Sequence, residues 1–213
     1  MAITPMQLLI GTTNKGKFGE IREVLHHLPL HLLTPQEIHI TEKPAESGAN
    51  YEENARLKCN FYFEKSNRLP TLAEDSGIEI AAFPGELGFK TRRWGAGENA
   101  GDEEWLTHFL AELKKHPDEL HRATFICTAA LKLPDADTIR IFHGKCPGRL
   151  LTSPQTTVPH GIPLSACFVP EGFDKVYAAL TPEEKNGISH RGQAIHQVRE
   201  FLSKSLIPSP NIS

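Results

Sequence analysis

The sequence predicts an α/β protein built on a mixed sheet. Two observations carry this. Short apolar runs of strand length alternate with segments of helical periodicity. Two adjacent β-rich runs in the middle of the chain, ATFICTAALKL and TIRIFHG, flank the turn-prone PDAD and read as an antiparallel hairpin. That hairpin argues against an all-parallel sheet.

In chain order, QLLIG is a first buried strand, an apolar run closed by Gly11 and Thr12. KGKFGEIREVLHHL places Phe18, Ile21, Val24 and Leu25 at helical spacing. HLLTP is a second short strand. ITEKPAESGAN is loop, punctuated by Pro44 and Gly48. YEENARLKCNFYFEKSN is a helix with a broad apolar side. LPTLAEDSG and GIEIAAF read as two short strands flanking an acidic turn. GDEEWLTHFLAELKKH is amphipathic, with Trp105, Phe109, Leu110 and Leu113 on one side. After the hairpin, GRLLTS and PLSACFVP are weaker strand candidates. HRGQAIHQVREFLSKSL is the last helix, and residues from about 207 to 213 form a frayed tail. No repeat or linker divides the chain, so residues 1–213 are expected to form one domain.

Composition narrows the function. The 213 residues are 39% hydrophobic and carry a net charge of −3, enough for an ordinary core and too acidic for a phosphate-backbone binder. A nucleic-acid polymer is therefore not expected as partner. The four cysteines (Cys59, Cys127, Cys146, Cys167) form no C-x-x-C and read as buried thiols of a reducing compartment. The start lacks a basic n-region with a long apolar run, and no segment has the length of a membrane span, so a cytoplasmic location is expected.

Four segments could do chemistry. TTNKGK, Thr12 to Lys17, lies between strand and helix and nearly matches the P-loop G-x-x-x-x-G-K-[ST]. The position after Lys17 is Phe18, which cannot ligate Mg²⁺, so a P-loop NTPase or kinase is disfavoured. Thr12, Thr13, Asn14, Lys15, Gly16 and Lys17 still suit a polyphosphate at a helix N-terminus. LAEDSG offers Glu74 and Asp75, hard oxygen donors at a strand end. On extended backbone the two point to opposite faces, one toward a cleft and one in support. PAESGANYEENARLK contains Glu46 and Lys58, which have no evident structural task, whereas Glu52 and Glu53 suit a helix start. EEKNGISHRG gathers Lys185, His190 and Arg191 around a turn leading into the last helix; cations there oppose the helix dipole, which points to an anion or acceptor ligand. The 11 histidines show no H-E-x-x-H spacing, so zinc is not expected.

Taken in order, TTNKGKFGEI, ESGANYEENARLK, LAEDSGIEI, GELGFKTRRWGAG and EEKNGISHRGQAI resemble the inosine triphosphate pyrophosphatases. The resemblance runs from about residue 8 to about residue 200. It implies a long central mixed sheet, two lobes around a nucleotide cleft, a homodimer, and Mg²⁺-dependent hydrolysis of deaminated purine nucleoside triphosphates to monophosphate and pyrophosphate. It puts the triphosphate loop on Thr12 to Lys17, Mg²⁺ on Glu46 and Asp75, and the proton acceptor on Asp75. It puts phosphate contacts on Lys58 and Ser76, and base contacts on Lys185, His190 and Arg191. The physical requirements agree: a carboxylate near the attacking water, metal charge on the phosphate oxygens, and Lys17 and Lys58 against the charge of the leaving group. Arg191 donates and cannot accept, which favours a 6-keto purine over adenine.

The chain departs from the family at GIPLSACF, Gly161 to Phe168, where the family has G-F-G-Y-D-P-x-F. Ile162 replaces an aromatic that would stack on the base, Ser165 replaces an accepting Asp, and Pro163 replaces a Gly. Smaller departures are Glu74 for Asp and the missing Pro of GELG. The hydrolytic residues are retained while the base wall is altered. Weaker binding of the same substrates, a shifted base preference, or nucleotide binding with little turnover would each follow. With the hydrolytic groups in place, an active pyrophosphatase is the expectation.

Overall fold

The structure, a computed structural model, describes residues 5–97, 99–136 and 138–206. The expected tail beyond Leu206 lies outside the described residues. The elements in order are β1 (Met6–Ile10), α1 (Lys15–Leu25), β2 (Leu30–Leu33), α2 (Tyr51–Lys65), β3 (Thr71–Ile80), α3 (Asp102–Leu113), β4 (Arg122–Lys132), β5 (Arg140–Leu150), β6 (Phe168–Pro170), α4 (Pro182–Ile188) and α5 (His190–Leu206). One six-stranded sheet runs β2-β1-β3-β4-β5-β6. β1 is parallel to β2 and β3, and the remaining pairs are antiparallel. The expected mixed sheet is what forms.

Each face of the sheet is covered because each covering helix has an apolar side. Ile21, Val24 and Leu25 of α1 and Ala194, Ile195, Val198 and Leu202 of α5 bury against Leu8, Ile10 and Leu72. Phe18 packs partly buried on the same cluster, the role its place in the helical period requires. On the same face, farther along β3, Trp105, Phe109 and Leu113 of α3 pack with Ile78, Ile80, Phe168 and Tyr177, and α2 covers the opposite face with Ala55 and Cys59 against Ala73 and Ala130. All four cysteines are buried free thiols. No helix among the described residues is long and apolar enough to cross a membrane.

Three local expectations are corrected. LAEDSG does not form a turn between two strands: Thr71–Ile80 is a single ten-residue strand. Local propensity reads Glu-Asp-Ser-Gly as a break, but Glu74 and Asp75 keep their antiparallel partners Ala129 and Thr128 on β4. Tertiary pairing overrides the local signal. PLSACFVP is strand only at Phe168–Pro170, because Pro163–Ala166 is a 3₁₀ turn; GRLL, the other weak candidate, is the end of a longer β5. EEKNGI is the body of α4 rather than a turn, started by Thr181 and Glu184 in a reciprocal capping box with Pro182 in the first turn.

The strand lengths create the cleft. β1 accompanies β3 only at Leu9↔Thr71 and Ile10↔Leu72, so β3 continues past the end of β1 with that edge uncovered. Side chains from both faces of β3 can therefore reach one opening. The start of α5 lies close over β5 at Gly144, where an added Cβ would sit 1.9 Å from the His190 carbonyl oxygen. Gly144→Ala must lift the start of α5 off the sheet. It should destabilise the fold by roughly 1–3 kcal/mol, as overpacking does, read as a lower urea midpoint. An unchanged midpoint would refute the close approach.

Candidate active site

The predicted residues converge on a cleft of about 680 Å³ at the uncovered edge of β3. Thr12, Thr13, Asn14, Lys17, Glu46, Lys58, Asp75, Ser76, His190 and Arg191 all line it. A larger groove of about 920 Å³ lies elsewhere, lined by Phe83, Leu87, Phe89, Val169 and Phe173 among others, and holds none of the predicted residues. Chemistry-bearing groups are concentrated in the smaller cleft.

The wall at the start of α1 is built by Asn14. As N-cap, its Oδ1 accepts from the Lys17 amide at 3.1 Å, and its own amide donates to Thr12 Oγ1 at 3.2 Å. The first turn of α1 contains no acid, so the helix N-terminus keeps its positive character toward the cleft. Lys15 and Gly16 do not line the opening. Gly16 is needed for packing: an added Cβ would come within 2.7 Å of the His160 carbonyl oxygen.

β3 supplies the carboxylates, and its period of two separates them. Glu74 and Ser76 turn toward α1 and α5. Glu74 Oε1 lies 2.8 Å from Lys17 Nζ and 3.8 Å from Arg191, while Ser76 Oγ accepts from Arg191 at 2.9 Å. Asp75 turns toward α2, where Lys58 Nζ donates to its Oδ1 at 2.6 Å and lies equally close to Glu46 Oε1. Arg93 reaches the same Glu46, donating to its backbone oxygen at 3.3 Å.

Burial would raise the Glu74 carboxyl, but Lys17 and Arg191 outweigh it and hold the group well below the ordinary range. Burial raises Asp75 and wins there, with Lys58 opposing. Burial opposes the Lys58 charge, yet Asp75 and Glu46 keep the ammonium firmly protonated. The cleft thus has one carboxylate fixed as an anion in support and one of raised proton affinity facing α2.

At the start of α5, His190 stacks on Phe125 with ring centroids 4.7 Å apart, and Tyr177 lies parallel at 6.3 Å. Burial, then Arg191, pushes this imidazole down to about 3, so it is neutral. Its Nδ1 and the Nε of Arg191 are buried with no hydrogen-bond partner among the described residues. Arg191 also pairs with Glu20, which takes Lys185 Nζ at 2.5 Å. Lys185 meets the site through Glu20 and over the Tyr177 ring, 5.8 Å from its centroid, and does not line the cleft. Ile162 and Ser165 line it, with the Ser165 hydroxyl donating to the Ile162 carbonyl at 2.6 Å.

Comparison with known proteins decides the family. The model of the Ham1 family (Ham1p_like) matches residues 8–201. The chain belongs to the Ham1 family. All five ordered segments fall inside the Ham1 match. The dITP/XTP pyrophosphatase of Halalkalibacterium halodurans is 35% identical over 194 residues, 91% of this chain and 97% of that protein. That of Streptomyces coelicolor is 37% identical over 202 residues, 92% and 98% respectively. Among solved structures, the Staphylococcus aureus Ham1 protein superposes with TM-score 0.76 at 29% identity, covering 93% of this chain and 99% of that one. A HAM1 protein from Coxiella burnetii gives 0.77 at 31%, with the same coverage. The mixed sheet with flanking helices is thus the Ham1 fold.

Glu20, Phe125 and Tyr177 were not visible as site residues in the sequence. Glu20 sits in mid-helix and gains meaning only from Arg191, 171 residues away. Burial would raise its carboxyl, but Arg191 and Lys185 hold it down to about 2 from the ordinary 4.5. A depressed carboxylate stabilises the fold fully above 4.5 and loses that contribution as pH falls toward 2. Glu20→Gln should be less stable at pH 7, and its unfolding free energy should fall less between pH 5 and pH 2, by up to about 3 kcal/mol. Parallel wild-type and variant curves from urea unfolding across that window would contradict the pairing.

Proposed function

We propose that the chain hydrolyses deaminated purine nucleoside triphosphates (ITP, dITP, XTP) to monophosphate and pyrophosphate, removing them from the nucleotide pool. The observation that carries this reading is the opposition within one cleft of a capped helix N-terminus bearing Lys17 and a carboxylate pair, Glu46 and Asp75, that shares Lys58. The names of the relatives, dITP/XTP pyrophosphatase, support the substrate class.

The residues fit Mg²⁺. Glu46 and Asp75 offer hard oxygens, and Asp75 Oδ2 is buried without a hydrogen-bond partner among the described residues. No group of three or more His, Cys, Asp or Glu side chains is placed to hold a metal among the described residues. Two carboxylates completed by phosphate oxygens and water is how Mg²⁺ is commonly held. Bound there, Mg²⁺ would withdraw charge from the phosphate oxygens under attack.

The chain's own groups would do the rest. Asp75, its proton affinity raised by burial, would take the proton of the attacking water. The start of α1, whose first turn carries no acid, and the Lys17 ammonium, anchored by Glu74, would receive the negative charge on the leaving pyrophosphate. Lys58 would neutralise the carboxylate pair and the nearest phosphate oxygens. Arg191, held by Glu20 and Ser76, would donate to a 6-oxo group and leave a 6-amino group unmatched. A homodimer and a cytoplasmic location belong to the same reading; equilibrium sedimentation of the purified protein tests the first.

A product-resolved panel of ITP, XTP, dITP, ATP and GTP with Mg²⁺ tests the activity. Pyrophosphate and monophosphate are expected from the deaminated purines, and release of inorganic phosphate and diphosphate would overturn the reading. Asp75→Asn should lower kcat/KM by roughly 10²-fold or more, the usual weight of a general base; a full rate would remove Asp75 from that role.

Ile162 gives an aliphatic wall where a base would lie, and the Ser165 hydroxyl is occupied by its own turn, which favours a weak or shifted grip on the base. Ile162→Phe should lower KM for ITP about fivefold or more, given the worth of base–aromatic stacking. A KM that does not fall would place the base elsewhere.

A further inference from the structure

The wall segment carrying Ile162 is fixed at one residue. The Gly161 N–H donates to Asp102 Oδ2 at 2.7 Å, and the Gly161 carbonyl accepts from Asn14 Nδ2 at 2.8 Å. The same Asp102 oxygen lies 2.9 Å from His160 Nδ1. Asp102 is the first residue of α3, and Asn14 caps α1, so the backbone of a single residue is held between two helix N-termini. The fit is tight. Gly161 has φ +79°, and an added Cβ would come 2.4 Å from Asn14 Oδ1. An added Cβ on Gly16 would come 2.7 Å from the carbonyl oxygen of the residue before Gly161, His160.

Asp102 is mostly buried and does not line the cleft. Three acids, Asp102, Glu103 and Glu104, open α3, and any of them complements its dipole. Dipole complementation does not account for the bonds to residues 160 and 161, which Asp102 alone of the three makes among the described residues. The bonded residue immediately precedes Ile162, and its carbonyl meets the residue that caps the helix carrying Lys17.

We propose that Asp102 is a positioning residue for nucleotide binding: by holding the Gly161 peptide against Asn14, it sets the spacing between the base wall at Ile162 and the phosphate-binding start of α1. The proposal rests on the nucleotide reading above. It assigns Asp102 no contact with substrate. A nucleotide spans both walls, so a loosened peptide costs affinity, while the groups around Asp75 stay in place and turnover at saturation is preserved.

The test compares wild type, Asp102→Ala, Asp102→Asn and Gly161→Ala. Pyrophosphate release from dITP with Mg²⁺ is measured alongside calorimetric binding of dITP without metal. Asp102→Ala should raise KM and the dissociation constant roughly tenfold to a hundredfold, the worth of a hydrogen bond to a charged group, with kcat within about threefold. Asp102→Asn should recover most of the affinity, because its amide oxygen still accepts from the Gly161 N–H. Gly161→Ala should reproduce the affinity loss from the other side. A lower melting temperature or smaller active fraction with unchanged KM and binding would make Asp102 merely structural and overturn the proposal, as would no rescue by Asn. If wild type binds dITP without releasing pyrophosphate, the catalytic reading falls and the binding comparison still decides the role of Asp102. If wild type does neither, both fall.

Discussion

The site depends on one constraint: two adjacent carboxylates in a buried strand must each find a cation. Glu74 and Asp75 are both almost fully buried, and the strand's pleat sends them to opposite faces. No single helix can serve both. Lys17 from α1 and Arg191 from α5 meet Glu74, and Lys58 from α2 meets Asp75. Three helices are thereby locked to two consecutive residues of β3. Removing one partner of such a buried pair costs about 3–5 kcal/mol, because the remaining charge is stranded. Intact, a buried pair adds little over apolar packing. Its presence here is better explained by what it positions than by stability.

The sheet turns that constraint into a cavity. Were β1 as long as β3, the edge beside Glu74, Asp75 and Ser76 would be covered by a neighbouring strand. β1 stops at Ile10 instead, and the chain leaves it through Gly11 to Asn14 into α1. A helix N-terminus is thereby delivered opposite the carboxylates. The positive start of α1 and Lys17 stand on one side, and Glu46 and Asp75 on the other. A triphosphate carrying a divalent cation has that polarity: anionic oxygens for the helix start and a cation for the carboxylates.

Much of this was legible in the sequence, for physical reasons. The helical periods of α1, α3 and α5 are carried by apolar residues that do pack as the spacing requires, whereas on α2 Leu57, within the apolar side the sequence suggests, is exposed. The lining of the cleft was legible where a side chain had no evident structural task, as at Glu46 and Lys58, which meet there. What was not legible depended on distant partners. Leu72 to Gly77 looks like a break because Glu, Asp, Ser and Gly are poor strand formers, and only the ladder with β4 and the opposing cations make it a strand. Glu20 looks like an ordinary helix-surface acid until Arg191 and Lys185 are placed beside it. Phe125 reads as a hydrophobic strand residue, and its stacking on His190 follows from α5 crossing β4. Gly16 illustrates the converse: a residue that looked functional because of a motif is accounted for by close packing on residue 160.

The altered segment after Gly161 can be understood on the same terms. What couples it to the rest of the site is backbone: the Gly161 N–H and carbonyl, and the His160 carbonyl against Gly16. Those contacts require glycine at 161 and at 16, but they place no demand on the side chain at 162. That side chain projects into the cleft from a peptide already fixed on both sides. An aliphatic residue there changes what a base would touch without disturbing the cap of α1 or the pairing of Lys17 with Glu74. The start of α1 and the wall at Ile162 are thus joined mechanically through residue 161 and separated chemically at the next residue. The side chain at 162 can therefore change while Lys17, Glu74 and Asp75 stay where they are.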